Sequence, residues 1–353
     1  MTLTKAIGII LMVLAHAMPP EHLLWRIIYT FHMPLFFIMS GYCFKDKYLD
    51  DARQFVIRKT KGIYVPFVAY SLVFLALHNV FCRLYIYEPT WLYGWKDFAW
   101  NTGRIVTRMS HNEGLLGTFW FLKELFWGNI IFYIALNLCK RLHNMAYWAL
   151  AIGLLALAEI VCAFHLRIPY FNITHTSIFA AFFIAVGYWW KQSEWQLNKW
   201  ILWIGGAFVI AVEVLMMHQV SFTGGTPVSL PIYVVPAIAG TMMVFDLGKG
   251  IANSQKLIVE IVKHVLALVG KHTLAIMALH LLSFKLVSYM IIRVHHLPIK
   301  RLVDFPVMYD YANAGGGVLL YIFVGIFIPL ICVWGWQWGL TRVKSVKCNV
   351  YEK

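Results

Sequence analysis

Apolar residues fall in long blocks along this chain, divided by short polar or charged stretches. A helix needs about 20 mostly apolar residues to cross a bilayer. On that rule the blocks predict ten helices, at about 3–19, 24–44, 62–81, 117–138, 145–165, 175–191, 200–218, 229–247, 270–292 and 316–340. The stretches between them differ in character. Residues 82–116 are rich in Tyr and Trp, which suits an aromatic belt at a bilayer face or a surface for stacking sugars. Residues 219–231 are uncharged and turn-rich. At 251–266 apolar residues recur at 258, 261, 262 and 265, while Lys256, Glu260 and Lys263 lie on the other side. That spacing predicts an amphipathic helix on the cytoplasmic face. No repeat or low-complexity tract interrupts the pattern, so residues 1–353 read as one integral membrane domain.

Composition supports an all-α polytopic membrane protein. The 353 residues are 61% hydrophobic and 13% charged, against roughly 25% charged in a soluble chain. There is too little polar surface to coat a water-soluble particle. The net charge of +14 would suit nucleic-acid binding in a soluble chain, but here the loops account for it. With the N-terminus inside, 19 of the 30 Lys and Arg residues fall in inner segments and 9 in outer ones. The other two, Lys123 and Lys285, lie within spans. The positive-inside rule then puts both termini in the cytoplasm. Membrane lipid is the implied partner, and nucleic acid is not. Six cysteines, at 43, 82, 139, 162, 332 and 348, show neither metal spacing nor a disulfide framework. Residues 1–17 also mimic a signal peptide, with Ala15-His16-Ala17 as the small-x-small site. Cleavage there would remove one helix from a set whose charges balance.

Ionisable residues within spans are costly and usually have a use. Lys5 opens the first span and His16 stands eleven positions later. At 3.6 residues per turn both lie on one helix face, about 16 Å apart along the axis. A cation at one end and a base at the other suit a long ligand with an anionic head and a reactive tip, such as an acyl-CoA. Taken alone, Lys5 also fits an ordinary flanking charge, and His16 a histidine hydrogen-bonded between helices. His32, in FHMPLFFIMSG, matches the depth of His16 and could share its site. Pro34 is expected to break or kink that helix, and Ser40-Gly41 to let a neighbour approach closely. Arg58, Lys59 and Lys61 form a basic cluster before Val65-Pro66. Such a cluster marks a cytoplasmic flank and could also hold the phosphates of coenzyme A. Lys123 and Glu124 are adjacent, point about 100° apart, and are expected to find partners on other helices rather than each other. Glu124 could thereby raise the basicity of a catalytic histidine. His280 falls near mid-membrane in GKHTLAIMALHLLSFK, with Lys285 beyond it.

Taken together, KAIGIILMVLAH, FHMPLFFIMSGY, RKTKGIYVPF, the WFL of Trp120-Phe121-Leu122 and GKHTLAIMALH resemble the membrane-bound acyltransferase-three family. They occur in that family's order, while 140–260 matches only as generic spans. The resemblance implies ten helices and transfer of an acyl group, commonly acetyl, from cytoplasmic acyl-CoA to an acceptor at the outer face. The acceptor is often a hydroxyl of a cell-surface glycan, free or lipid-linked, and the location a multi-pass protein of the bacterial inner membrane. The family's basic residue, ten intervening residues and essential histidine correspond to Lys5 and His16, with lysine where arginine is more usual. Lysine keeps the charge but loses the bidentate fork. Thr2 stands where an acid is common, which leaves room for a longer family N-terminus, and Met277 stands where tyrosine is frequent.

The expected site therefore has His16, His32 and Glu124 in catalysis. Lys5, Arg58, Lys59 and Lys61 bind the CoA phosphates, and Trp120 and His280 meet the substrate. No metal and no permanently bound cofactor is implied; acyl-CoA, expected as acetyl-CoA, is the donor co-substrate. N-acylation is a close variant. A proton-coupled transporter is the alternative from another class, since buried His, Glu and Lys could serve it, although no internal duplication of the kind common in transporters is visible.

Overall fold

The computed structural model describes residues 1–141, 147–193, 197–216, 222–223, 229–312 and 316–351. Apart from one isolated bridge between Ile168 and Ile173, the regular structure among them is helical. The α-helices are α1 (Thr2–His16), α2 (Leu23–Tyr42), α3 (Ala52–Lys59), α4 (Val65–Arg83), α5 (Trp95–Arg108), α6 (Trp120–Arg141) and α7 (Tyr147–Ala163). They continue with α8 (His175–Ser193), α9 (Gly206–Met216), α10 (Ser229–Asn253), α11 (Leu257–Lys271), α12 (Thr273–Val294), α13 (Tyr309–Ala312) and α14 (Gly317–Tyr351).

Each of the ten predicted segments falls on a helix. Among the described residues, six helical stretches have the length and hydropathy to cross a bilayer: Leu23–Tyr42, Ala52–Arg83, Gly114–Cys139, Leu230–Asn253, Thr273–Val294 and Gly317–Trp338. Three more, Thr2–His16, Trp148–Ala163 and Ile201–Leu215, are apolar but shorter. α1 packs against α2, α10, α11, α12 and α14, so the first helix is enclosed by the rest of the bundle.

α8 forms the other centre. It is buried along most of its length, from Thr176 to Tyr188, as an apolar helix without a polar face should be. Its closest neighbour is α2. A Cβ on Gly41 would lie 1.8 Å from the Ile184 carbonyl oxygen, and one on Gly187 would lie 1.9 Å from that of Ile38. Only glycine permits this approach, which is the role expected of Gly41. Ser40 Oγ adds a hydrogen bond to Asn129 Oδ1 of α6 at 3.1 Å.

Several local features differ from expectation. α2 runs unbroken through Pro34; packing against α8 and α10 holds a helix that has lost one internal hydrogen bond. The third helix begins ten residues early, at Ala52, where the Asp51 carboxylate accepts from the Gln54 amide at 2.8 Å. It passes through a π-helical turn, Thr60–Tyr64, into α4. Pro66 cannot donate to the Gly62 carbonyl four residues earlier, and the helical register shifts at this point. The 82–116 segment contains a helix, α5, that the aromatic pattern did not announce. At 251–253 the chain still belongs to α10, and the amphipathic helix is α11. Leu257, Ile258, Ile261, Val262, Val265 and Leu268 of α11 are exposed, as a helix lying in a bilayer face requires. Most of 219–231 lies outside the described residues.

Candidate active site

Lys5, Ile9, Met12 and His16 recur every three or four residues, so they form one stripe of α1. This stripe lines a cavity of about 450 Å³. The facing wall is the corresponding stripe of α2, with Tyr29, His32, Met33 and Phe36. Trp120 and Phe121 of α6 and Met277 of α12 complete the middle. Arg58 and Lys59 join Lys5 in the lining. Among the described residues none of these three cations is in an ion pair. Their positive charge is therefore uncompensated at one end of the cavity, and the long apolar stretch of α1 separates it from His16.

The histidines are oriented by their own helices. His16 Nδ1 binds the Met12 carbonyl oxygen at 2.8 Å, His32 Nδ1 that of Ile28 at 2.9 Å, and His280 Nδ1 those of Ile276 and Met277, both at 3.0 Å. A carbonyl can only accept, so in each neutral ring Nδ1 carries the proton and Nε2 keeps its lone pair. All three are thus preset as bases through Nε2. They also cluster. The His16 ring meets His280 edge-on at 5.3 Å and Tyr29 at 6.4 Å, and Tyr29 in turn meets His32 at 4.7 Å.

Residues 1–339 match the acyltransferase-3 family, described as an acyltransferase domain. The chain belongs to that family. No curated protein and no solved structure matches it. A membrane acyltransferase of this family, multi-pass by its apolar helices, accounts for a cavity with preset bases at one end and free cations at the other.

Within this family member the sequence-predicted residues divide into three groups. Lys5, His16, His32, Arg58, Lys59 and Trp120 line one cavity. His280 lies behind the lining, against His16, fully buried with no hydrogen-bond partner at Nε2. Lys61 is exposed and outside the lining. Glu124 also lies outside it; it has a partner on another helix, as expected, but contrary to expectation it also pairs with its neighbour Lys123. Lys123 Nζ pairs with Glu124 Oε1 at 2.7 Å, and Ser177 Oγ donates to Glu124 Oε2 at 2.5 Å. The 100° between neighbouring Cα–Cβ directions does not prevent this, because the four-carbon lysine stem can bend back. Lys285 is likewise used structurally, donating to the carbonyls of Leu302 at 2.9 Å and Asp304 at 2.7 Å.

Tyr29, Tyr48 and Phe222 are among the lining residues that the sequence did not single out. Tyr29 lies one turn before His32, and that spacing was its available signal. Tyr48 sits at the basic end, with the Arg58 guanidinium 5.8 Å above its ring. Phe222 comes from the turn-rich segment yet is buried. It stacks on Phe37 at 5.0 Å, Phe179 at 5.2 Å and Trp120 at 5.8 Å. A lone aromatic in a polar loop gives no periodic signal, so its insertion was not legible.

Proposed function

We propose that the protein transfers an acyl group, acetyl in the first instance, from cytoplasmic acyl-CoA to a hydroxyl of a cell-envelope glycan at the opposite membrane face. The observation that carries this reading is the single cavity whose lining holds Lys5, Arg58 and Lys59 together with His16. The cations suit the phosphates of coenzyme A. His16 lies eleven residues along α1 from Lys5, about 16 Å, within reach of a thioester on the pantetheine arm.

In this mechanism His16 Nε2 takes the proton of the acceptor hydroxyl as its oxygen attacks the thioester carbonyl. The new C–O bond forms and the C–S bond breaks. The proton then passes from His16 to the departing CoA thiolate. The Nδ1 bond to Met12 fixes the ring for this exchange, and the apolar walls exclude competing water. The membrane is that of a bacterial cell, with both termini in the cytoplasm.

The test uses membranes containing the protein and radiolabelled acetyl-CoA, with wild type beside His16→Ala. Label should enter an envelope glycan fraction with wild type and not with the variant. Equal incorporation by both would overturn the assignment of His16. Failure of the purified protein to bind acyl-CoA would overturn the choice of donor.

A further inference from the structure

A second cavity, of about 550 Å³, opens on the flank of the bundle, between α12, α14 and the end of α4. Its long wall is Leu279, Leu282, Leu286 and Tyr289 of α12, and it is closed opposite by Ile328 and Cys332 of α14. Ser283 and Lys285 also reach it but present no free polar group. Ser283 Oγ donates to the Leu279 carbonyl at 2.9 Å, and the Lys285 ammonium is taken up by the 302–304 carbonyls. The groove therefore offers a ligand almost nothing but carbon. Leu286, Tyr289 and Cys332 are exposed, so it opens laterally. At this depth the surrounding solvent is lipid.

Two further observations define the occupant. From Leu279 to Tyr289 is ten residues, about 15 Å along a helix, and half of a hydrocarbon core of about 30 Å is the same length. Leu279 adjoins His280, whose ring touches His16, so the groove runs outward from the level of the histidines. It ends where Arg83 enters the lining. Arg83 is exposed at the C-terminal end of α4 and, among the described residues, makes no ion pair. An apolar slot one leaflet deep with a free guanidinium at the headgroup end fits a lipid chain attached to a phosphate. We propose that this groove binds an anionic phospholipid of the leaflet on the histidine side, one chain lying along α12 and the phosphate at Arg83. The one-leaflet length favours a phospholipid over a long polyisoprenyl carrier, which would overrun the slot.

The experiment uses the full chain in vesicles of neutral phospholipid doped with a photoactivatable phosphatidylglycerol, or with the matching phosphatidylcholine probe. After illumination, labelled peptides are mapped by mass spectrometry. Wild type should carry label within 279–289 and 328–332, at least fivefold more from the phosphatidylglycerol probe. Leu286→Trp should fill the groove and reduce that label to background, and Cys332→Phe should do the same from the opposite wall. Both positions are exposed, and unchanged thermal unfolding would show that both variants fold. Arg83→Gln should keep the label and lose the preference for phosphatidylglycerol. Equal labelling by the two probes in wild type, or label unaffected by either filling variant, would overturn the proposal. So would complete displacement of the probe by equimolar polyisoprenyl phosphate.

Discussion

The imidazole rings of His16 and His280 meet edge to face, 5.3 Å between centroids and at 75°. His280 is fully buried, its Nδ1 is committed to backbone, and its Nε2 has no partner. A buried lone pair left unpaired costs free energy, and the ring of His280 packs edge-on against that of His16, where positive charge develops during transfer. His280 therefore suits a positioning role, sharing the charge that His16 acquires during transfer. His16→Ala should lower kcat by about 10²–10⁴, the usual range for loss of a general base. His280→Phe should lower kcat by about tenfold, the scale of one hydrogen bond, with the KM for acyl-CoA unchanged. Steady-state kinetics against the donor separate this from damage to donor binding, which would move KM instead.

Lys5 makes the opposite prediction. It stands about 16 Å from His16 along α1, too far to touch the reacting atoms. Lys5→Ala should raise the donor KM by about tenfold to 100-fold, as expected for a charge-assisted contact of roughly 1.5–3 kcal/mol, and leave kcat intact. Lys5→Arg should restore donor binding because it restores the charge. Comparing coenzyme A with its analogue lacking the 3′-phosphate identifies the phosphate involved. An equal loss of affinity for both in Lys5→Ala would assign Lys5 to the diphosphate.

Much of this was written in the sequence, for physical reasons that differ between elements. The α1 stripe was legible because an eleven-residue separation closes almost three helical turns, and Lys5, Ile9, Met12 and His16 do line one cavity. The helices were legible because a bilayer demands long apolar blocks, although the start at Ala52 was hidden by its charged residues. The partners of Glu124 were not legible. Cβ directions say little about where a flexible lysine ends, and Ser177 comes from a helix 53 residues away in sequence. Phe222 and Tyr48 belong to the same class: each reaches the cavity from a segment without periodicity, so only the folded chain brings it there.

The contact between α2 and α8 can be tested without any assay of function. A side chain at Gly187 would collide with the Ile38 carbonyl oxygen at 1.9 Å, and backbone cannot move aside as a side chain can. Gly187→Leu should force the two central helices apart and abolish the folded state, and Gly187→Ala should lower the melting temperature strongly. Gly103 in α5 is the control, since nothing lies within 4 Å of a Cβ built there. Gly103→Ala should be neutral, or stabilising by up to about 1 kcal/mol from helix propensity. Thermal unfolding in detergent, followed by size-exclusion chromatography, distinguishes the two sites.

His111 predicts a pH dependence of stability outside the membrane-spanning helices. Its ring lies beside those of Phe67 and Phe119, at 5.8 and 6.4 Å between centroids, and its Nδ1 is buried without a partner. Burial, reinforced by the Arg104 charge, pushes its pKa down from 6.5 to about 4. The folded protein therefore binds this proton less readily than the unfolded chain does. Stability is unaffected above pH 6.5, falls as the pH drops from 6.5 towards 4, and levels off below that. The full loss is at most about 3 kcal/mol at 1.36 kcal/mol per pH unit. His111→Phe keeps an aromatic ring, removes the unpaired nitrogen, and should abolish this part of the decline. Melting temperatures of wild type and variant should therefore diverge on acidification, with the variant the more stable at pH 5; parallel curves between pH 7 and pH 4 would show that His111 titrates alike in both states.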